Sequence, residues 1–198
     1  FYYVSPLGNI SNVQLGVPVA INIENGIAAM ALAQLGGVSN EDIKTGMASF
    51  RGVDRRFDFK IKTDKVVYLS DYAHHPEEIK QSILSMRALY EGKKLTGIFQ
   101  PHLYTRTRDF YQEFAESLSL LDEVILTDIY PARELPIEGV SSQLIYDNLR
   151  PDIDKTLCKK EEVIDILKKK EIEVLMTLGA GDIENYAPQI CEILNERC

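Results

Sequence analysis

From residue 66 onward, one pattern repeats along the sequence: a short predicted strand is followed by a predicted helix. The predicted strands lie at 66–69, which is a continuous apolar run, and at 94–100, 123–130, 155–158 and 171–179; the predicted helices follow at 76–91, 107–121, 141–149, 160–170 and 182–196. Continuous apolar runs are typical of strands that are buried on both faces. Strands that alternate with helices through short connections predict an α/β domain with a mainly parallel sheet.

The beginning of the chain has a different pattern. Residues 17–23 are apolar and extended in character, and Asn22 or Asn25 is placed to cap the alanine-rich helix that follows. Ser39 is placed to begin a second helix, with Asp42 three positions later as in a capping box. This two-helix stretch therefore reads as the tail of a preceding domain.

The change of pattern near residue 50 predicts a domain boundary. We interpret residues 1–49 as one domain that is present only in part, and residues 50–198 as a second domain. The second domain opens with Phe57, Phe59 and Ile61 alternating with polar residues, which favours a half-exposed strand.

Composition and charge exclude several classes of protein. The net charge is -8, whereas a general nucleic-acid-binding protein usually presents a basic surface. No apolar stretch reaches the roughly 18 residues that suggest a membrane span. Cys158, Cys191 and Cys198 form an odd set without CxxC spacing, which favours reduced thiols in a cytoplasmic protein. Because the sequence begins with Phe1 rather than Met, we expect a piece of a longer protein.

Ligands of open parallel sheets bind at the carboxyl ends of the strands. Four loops follow predicted strands at this edge: SDYAHHP, QPHLYTRTR, TDIYPARELPIEGVSS and LGAGD. The three histidines of the chain, His74, His75 and His102, all lie in the first two loops, which predicts a function for at least one of them. Because no acidic or cysteine partner has metal-ligand spacing, we predict no metal held by these side chains.

The loop that contains His102 is rich in hydrogen-bond donors. Arg106 and Arg108 follow the histidine, and a guanidinium group matches the geometry of a carboxylate or phosphate. A helix capped here by Thr105 or Thr107 would also favour an anion at its N-terminus. The alternative is that both arginines are solvated residues of the first helical turn, although a bound anion would offset their unfavourable position near the positive helix end.

Three further features carry weaker signals. Asp71 ends a buried strand, where it could bind a ribose hydroxyl or a metal-bound water, or could cap the helix that begins at Pro76. The LGAGD segment lacks the third glycine of a dinucleotide-binding fingerprint, so a tight turn without a ligand explains it equally well. Arg55 and Arg56 could reach a phosphate across a cleft or form a surface pair. No GxxxxGK[ST] phosphate-binding loop occurs in the sequence.

Taken in order, the segments RRFD, SDYAHHPEEI, FQPHLYTRTRDF, TDIYPARE and LGAGDI resemble the C-terminal domain of the Mur ligases. NIENGIAAMALA resembles the end of that family's central ATPase domain. The resemblance covers essentially the whole chain and is strongest to the branch that joins L-alanine to UDP-N-acetylmuramate in peptidoglycan precursor synthesis. It implies that 50–198 is a Rossmann-like, three-layer domain for the incoming amino acid, and that 1–49 is a short helical remnant of the ATP-binding domain.

The resemblance also implies the chemistry. The full enzyme would use ATP and Mg²⁺ to form an acyl-phosphate on the muramate carboxyl group, and the amine of L-alanine would then attack it. The N-terminal domain and most of the central domain, with its phosphate-binding loop, would lie outside this chain. We therefore expect this chain alone to be inactive.

Roles for individual residues are likewise implied by the resemblance. Four positions would contact the nucleotide: Asn25 near the adenine, Arg56 at the ATP phosphates, Asp71 on the ribose side, and Tyr72. The proposed catalytic residues are His74 and Arg106, and the proposed substrate-binding residues are His102, Tyr104 and Arg106. Arg106 is the candidate partner for the L-alanine carboxylate.

The chain departs from the family pattern at three positions. Ile21 stands where the family often has histidine, Ser70 where aspartate is common, and Leu103 where some members have a second arginine. Three alternatives remain: a related ligase that attaches a preformed tripeptide, a non-catalytic domain that binds a nucleotide or anion, and a small α/β enzyme with His74 or His102 as general base. The last alternative lacks a nucleophile motif such as GxSxG.

Overall fold

The computed structural model of the chain describes residues 1–17 and 19–197, without the side chains of residues 20 and 21. Cys198 and the side chain of Ile21 therefore lie outside the described part. The chain divides into two compact units, Phe1–Val53 and Asp54–Cys198. The boundary predicted between residues 49 and 50 falls at the end of a helix, a few residues before this division.

The second unit contains a six-stranded sheet among the described residues. Its strands are β1 (Asp58–Lys62), β2 (Val67–Asp71), β3 (Leu95–Phe99), β4 (Glu123–Leu126), β5 (Asp154–Leu157) and β6 (Val174–Leu178), in the spatial order β1-β2-β6-β3-β4-β5. Within this sheet, β1 pairs with β2 in the antiparallel direction, and the pairs β2–β6, β6–β3, β3–β4 and β4–β5 are parallel. The predicted α/β fold with a mainly parallel sheet is confirmed.

Helices cover both faces of this sheet. They are α3 (Pro76–Leu89), α4 (Tyr104–Leu118), α5 (Gln143–Asn148), α6 (Val163–Lys168) and α7 (Ala187–Asn195), with 3-10 turns at Lys160–Glu162 and Ile183–Tyr186. Helices α6 and α7 pack on the face that presents Tyr68, Ile98 and Leu175. On the opposite face, the ring of Phe99 lies 5.2 Å from that of Phe114 in α4. The arrangement is the predicted three-layer, Rossmann-like one.

Helix boundaries show where local signals succeed. Helix α3 begins at Pro76 as predicted, because His75 and Glu78 form a reciprocal capping box before a proline in the first turn. Helix α4 begins at Tyr104 rather than at the predicted residue 107, and its N-cap is Leu103. Neither Thr105 nor Thr107 is the cap, so that prediction is wrong.

The first unit contains α1 (Ala20–Leu35) and α2 (Asn40–Ser49). Ser39 caps α2 as predicted, since its hydroxyl accepts the N–H of Asp42 at 3.1 Å. The cap predicted at Asn22 or Asn25 is wrong, because both residues lie inside α1, which begins directly after Val19. Residues 20–23 of the stretch predicted to be extended are therefore helical.

A buried acidic group lies at the amino edge of the sheet. Glu123, the first residue of β4, is only 1% exposed. Its carboxylate accepts hydrogen bonds from the Lys170 ammonium group, from Lys94 at 2.8 Å and from the Thr96 hydroxyl at 3.2 Å. Burial acts to raise the pKa of Glu123, but the hydrogen bonds from the two lysines outweigh it and hold the pKa below its ordinary value.

We predict that Glu123→Gln lowers the free energy of unfolding by about 2 kcal/mol at pH 7, because it removes the buried negative charge and one of the two oxygens that accept from the lysines. Since the folded-state pKa is lowered, this contribution is present above the ordinary value of 4.5 and is lost as the pH falls through the folded-state value. Urea denaturation at a series of pH values measures both effects.

The matched control is Glu171→Gln, because Glu171 is exposed and makes no hydrogen bond or ion pair with any described residue. We expect that change to leave the unfolding free energy nearly unaltered. Equal losses in the two variants, or a Glu123 effect that persists unchanged in acid, would contradict the assigned role.

Candidate functional site

The carboxyl edge of the sheet brings together loops that are distant in sequence. Strands β2 and β3 follow each other in the chain, but β6 lies between them and pairs with both: Thr177 is opposite Ser70 on one side and Ile98 on the other. The chain therefore leaves β2 and β3 on opposite sides of β6 at the same edge. Such a position is where open α/β sheets bind ligands.

A row of rings runs along this edge. The ring centroids of Tyr72 and His74 are 5.3 Å apart, those of His74 and His102 are 6.2 Å apart, and those of His102 and Tyr130 are 5.7 Å apart. The last pair is stacked, with an angle of 20° between the ring planes. The structure thus brings the predicted residues Tyr72, His74 and His102 together. His75 instead contacts Phe110 at 5.3 Å and caps α3.

Backbone hydrogen bonds join the loop after β3 to the loop after β4. The N–H of Leu103 donates to the carbonyl of Tyr130 at 3.0 Å, and the N–H of Tyr130 donates to the carbonyl of Pro101 at 2.8 Å. These bonds form an isolated parallel bridge between His102 and Tyr130. Leu103 has a φ of 74°, in the left-handed region, which lets the chain turn sharply into α4. The departure at Leu103 therefore lies at the junction of strand and helix.

Arg106 lies one helical turn after His102 and contacts it. A guanidinium nitrogen of Arg106 is 3.3 Å from Nδ1 of His102. Because a guanidinium group can only donate, Nδ1 must accept, which places the proton of a neutral His102 on Nε2. Among the described residues, no carboxylate lies within ion-pair distance of Arg106, so its charge is available to an anion. Arg108 is exposed and pairs with the adjacent Asp109 at 2.7 Å.

Electrostatics favour the neutral form of His102. Burial lowers its pKa, Arg106 and the neighbouring His74 lower it further, and the negative charge of Glu134 acts weakly in the opposite direction. His74 has the opposite hydrogen-bond arrangement: its Nδ1 lies 3.0 Å from the carbonyl of Tyr72 and must donate to it. The edge therefore presents a neutral imidazole beside a permanent cation.

The start of α4 receives a carboxylate from the same protein. The N–H of Thr105 donates to Glu134 at 2.9 Å, and its hydroxyl donates to the other oxygen of that carboxylate at 2.5 Å. The Thr107 hydroxyl donates to the carbonyl of Leu103 at 2.9 Å. Both threonines predicted as caps thus have other partners. Tyr104, predicted to bind substrate, is the first residue of α4 and is partly exposed.

Two arginines flank Tyr72. The guanidinium carbon of Arg55 lies 4.8 Å from the centre of the ring and that of Arg56 lies 5.7 Å from it. Arg55 also donates to the carbonyl of Gly181 at 3.3 Å and lies 4.0 Å from Glu184. Arg56 is exposed, and in the described part of the chain it forms no ion pair.

Asp71 is largely enclosed by its own domain. Its carboxylate accepts hydrogen bonds from the Ser82 hydroxyl and from the N–H of Phe57 at 3.3 Å. Burial raises its pKa, and these bonds oppose the shift. The alternative that Asp71 caps α3 is wrong, because His75 occupies the cap. Asn25 is an exposed residue of α1 in the first unit.

The LGAGD turn is shaped by packing. Gly179 has a φ of 136°, and a Cβ there would lie 2.6 Å from the carbonyl oxygen of Gln100. The buried side chain of Gln100 donates to Asp182 at 2.8 Å and accepts the N–H of Ile183 at 3.0 Å. The interpretation of this segment as a tight turn has a complete structural explanation. Within the described residues, no group of three or more acidic, histidine or cysteine side chains could hold a metal ion.

Sequence reasoning missed Gln100, Tyr130 and Glu134 as contributors to this edge. Gln100 and Tyr130 lie shortly after strand ends, which is the signal that could have identified them, whereas no local signal indicates the contact of Glu134 with Thr105. The described residues contain no helix that is both long and apolar enough to cross a membrane.

Comparison with known proteins places this site in context. Residues 55–183 match the model of the family described as Mur ligase, glutamate ligase domain. A UDP-N-acetylmuramate–L-alanine ligase of Phocaeicola vulgatus is 78% identical over 197 residues, which span 100% of this chain and 43% of that protein. The ligase of the same name from Parabacteroides distasonis is 60% identical over 98% of this chain and 42% of its own length. The chain thus spans less than half of these relatives.

A solved structure shows the same fold. The crystal structure of UDP-N-acetylmuramate–alanine ligase from Thermotoga maritima superposes with a TM-score of 0.78 at 27% identity, covering 94% of this chain and 40% of that one. The murein peptide ligase from Psychrobacter arcticus has a TM-score of 0.65 at 18% identity over 92% of this chain and 38% of that one, which shows a shared fold alone.

We predict that the ring of His102 titrates below the ordinary histidine pKa of 6.5, and that Arg106→Ala raises the midpoint without restoring it fully, because burial persists. Histidine-selective NMR over pH 5 to 8 measures the midpoint, with Arg108→Ala as control. An unchanged midpoint in Arg106→Ala would show that the two side chains do not interact.

Proposed function

Because this chain belongs to the Mur ligase family, we propose that it is the C-terminal part of an ATP-dependent ligase that joins L-alanine to UDP-N-acetylmuramate. The names of its 78% and 60% identical relatives support this substrate pair. The observation that supports the proposal is the carboxyl edge itself, where His74 and His102 converge with Arg106, whose guanidinium forms no ion pair with the described residues.

Arg106 is proposed to hold the carboxylate of L-alanine. Its fork of donors suits a planar carboxylate, and it has no acidic partner among the described side chains. Leu103 offers no second cation, so the clamp would rest on Arg106 and nearby backbone groups. Binding the carboxylate at this point would leave the amino group of the substrate free to face the row of rings.

The proposed contribution of this domain is orientation and charge stabilisation rather than nucleophilic attack. The amine of L-alanine attacks the activated carbonyl carbon, forms the amide bond, loses a proton and displaces phosphate. His74 and His102 would provide hydrogen bonds at the reacting groups. A neutral His102 avoids placing a second positive charge beside the amine that must lose its proton.

The nucleotide-binding roles are likewise proposals that rest on the family resemblance. Arg56 fits a phosphate contact, because it is exposed and forms no ion pair with the described residues. Asp71 fits a ribose hydroxyl less directly, since both oxygens already accept hydrogen bonds, although each keeps a further lone pair. Tyr72 and Asn25 are the other proposed nucleotide contacts. When bound, ATP with Mg²⁺ supplies the phosphoryl group that activates the muramate carboxyl.

We assign the two units to two domains of the longer enzyme. Residues 1–49 would be the end of the central ATP-binding domain, and residues 50–198 the amino-acid-binding domain. The remaining domains would act as partners of this chain in one protein. A cytoplasmic location fits a ligase that uses ATP and UDP-linked precursors.

Two alternatives are tested by the same experiment. A tripeptide-recycling ligase would release phosphate with a preformed tripeptide instead of L-alanine, and a non-catalytic binding domain would release none. We would measure phosphate release from ATP and UDP-N-acetylmuramate with L-alanine, with a preformed tripeptide and with neither. Each assay would use this chain, this chain mixed with the preceding portion, and the full-length protein. The proposal expects alanine-dependent release only when the preceding portion is present.

We predict that Arg106→Ala in the full-length protein raises KM for L-alanine by about 100-fold, because a charge-assisted carboxylate contact contributes roughly 1.5–3 kcal/mol. The KM for ATP should change by less than about twofold. Arg108→Ala is the matched control, since Arg108 is exposed and pairs with Asp109. Equal effects of the two changes on KM for L-alanine would refute the assigned role.

A further inference from the structure

The first turn of α4 has no cap from its own sequence. Its N-cap residue, Leu103, has an apolar side chain and a left-handed backbone conformation, and it makes no capping hydrogen bond. The first N–H groups of a helix have no partners within the helix. The turn that carries Arg106 would therefore fray unless another part of the protein paired with it.

Glu134 pairs with this turn from the neighbouring loop. Its carboxylate accepts hydrogen bonds from both the N–H and the hydroxyl of Thr105, which lies 29 positions earlier in the chain. A carboxylate at the positive end of a helix is also favoured by the helix dipole. Glu134, from a distant segment of the same chain, thus takes the place of an N-cap residue.

The segment that carries Glu134 is anchored at both ends. Tyr130 is bridged to the His102 backbone and stacked on its ring. Directly after Tyr130, the N–H of Glu134 donates to the carbonyl of Pro131 at 2.9 Å, and this hydrogen bond closes a tight turn over residues 131–134. Ala132 in this turn has a φ of 51°. The segment 130–134 therefore contacts His102 with one end and the start of α4 with the other.

Glu134 does not neutralise the proposed carboxylate receptor. Arg106 directly follows Thr105, yet among the described residues no ion pair joins Arg106 to Glu134. The carboxylate is satisfied by Thr105, and the guanidinium remains turned to His102. The acidic group can therefore order the turn without occupying the place of a substrate anion.

We propose that Glu134 is a positioning residue for the amino-acid substrate: by capping α4 from the neighbouring loop, it fixes Arg106 relative to His102. This inference rests on the function proposed above. In this role Glu134 acts through Thr105 and the first turn of α4 rather than by direct contact with the substrate.

The test compares Glu134→Ala and Glu134→Gln in the full-length protein, by steady-state phosphate release. We expect Glu134→Ala to raise KM for L-alanine roughly tenfold and to leave KM for ATP within about twofold, because a small displacement of a positioning group is costly. Glu134→Gln keeps an acceptor for the Thr105 N–H and should recover part of the loss. Glu138→Ala is the matched control, because Glu138 is exposed in the same loop and makes no hydrogen bond or ion pair with the described residues.

A second readout does not depend on catalysis. Hydrogen exchange of peptides that cover residues 104–110 should be faster in Glu134→Ala than in the parent protein, and unchanged in Glu138→Ala. If the parent shows no alanine-dependent release, the proposed function fails, while exchange still decides whether Glu134 caps α4. The positioning role is overturned if hydrogen exchange at residues 104–110 is unchanged in Glu134→Ala. It is also overturned if that variant loses kcat without any rise in KM for L-alanine. If Glu134→Ala does not fold, Thr105→Val removes one of the two hydrogen bonds and is judged by the same criteria.

Discussion

The pairing of β6 with both β2 and β3 is the constraint on which the carboxyl edge depends. Because neighbouring strands are about 4.8 Å apart, this insertion separates the ends of β2 and β3 by roughly 9.6 Å. Side chains that reach inward from the two flanking loops can then meet above β6, and the rings of His74 and His102 do so at 6.2 Å. At the end of β6, Gly179 and Gly181 leave room for Gln100, because a Cβ at either position would collide with it. If β2 paired directly with β3, no strand would separate the two loops.

Much of this arrangement could be predicted from sequence, because its signals are local. Continuous apolar runs identified the buried strands, and the proline at position 76 identified the start of α3. The histidines and Arg106 were found because all follow strand ends. Family resemblance supplied their proposed roles, which composition and spacing could not have done.

What sequence could not predict depends on contacts between distant segments. Helix α4 begins at Tyr104 because a left-handed Leu103 and the carboxylate of Glu134 replace the usual cap, and neither feature has a local signal. Asn22 and Asn25 have the chemistry of caps, but α1 begins before them. The order of the strands is likewise a property of long-range pairing, since β6 comes last in the sequence and lies near the middle of the sheet.

The bridge between His102 and Tyr130 has an evolutionary consequence. Side chains of extended segments alternate in direction, so inserting one residue before His102 would turn its ring away from Tyr130. An insertion in one loop would thus have to be compensated in the other for the stack to survive. The lengths of the two loops are therefore expected to vary together among related chains rather than independently.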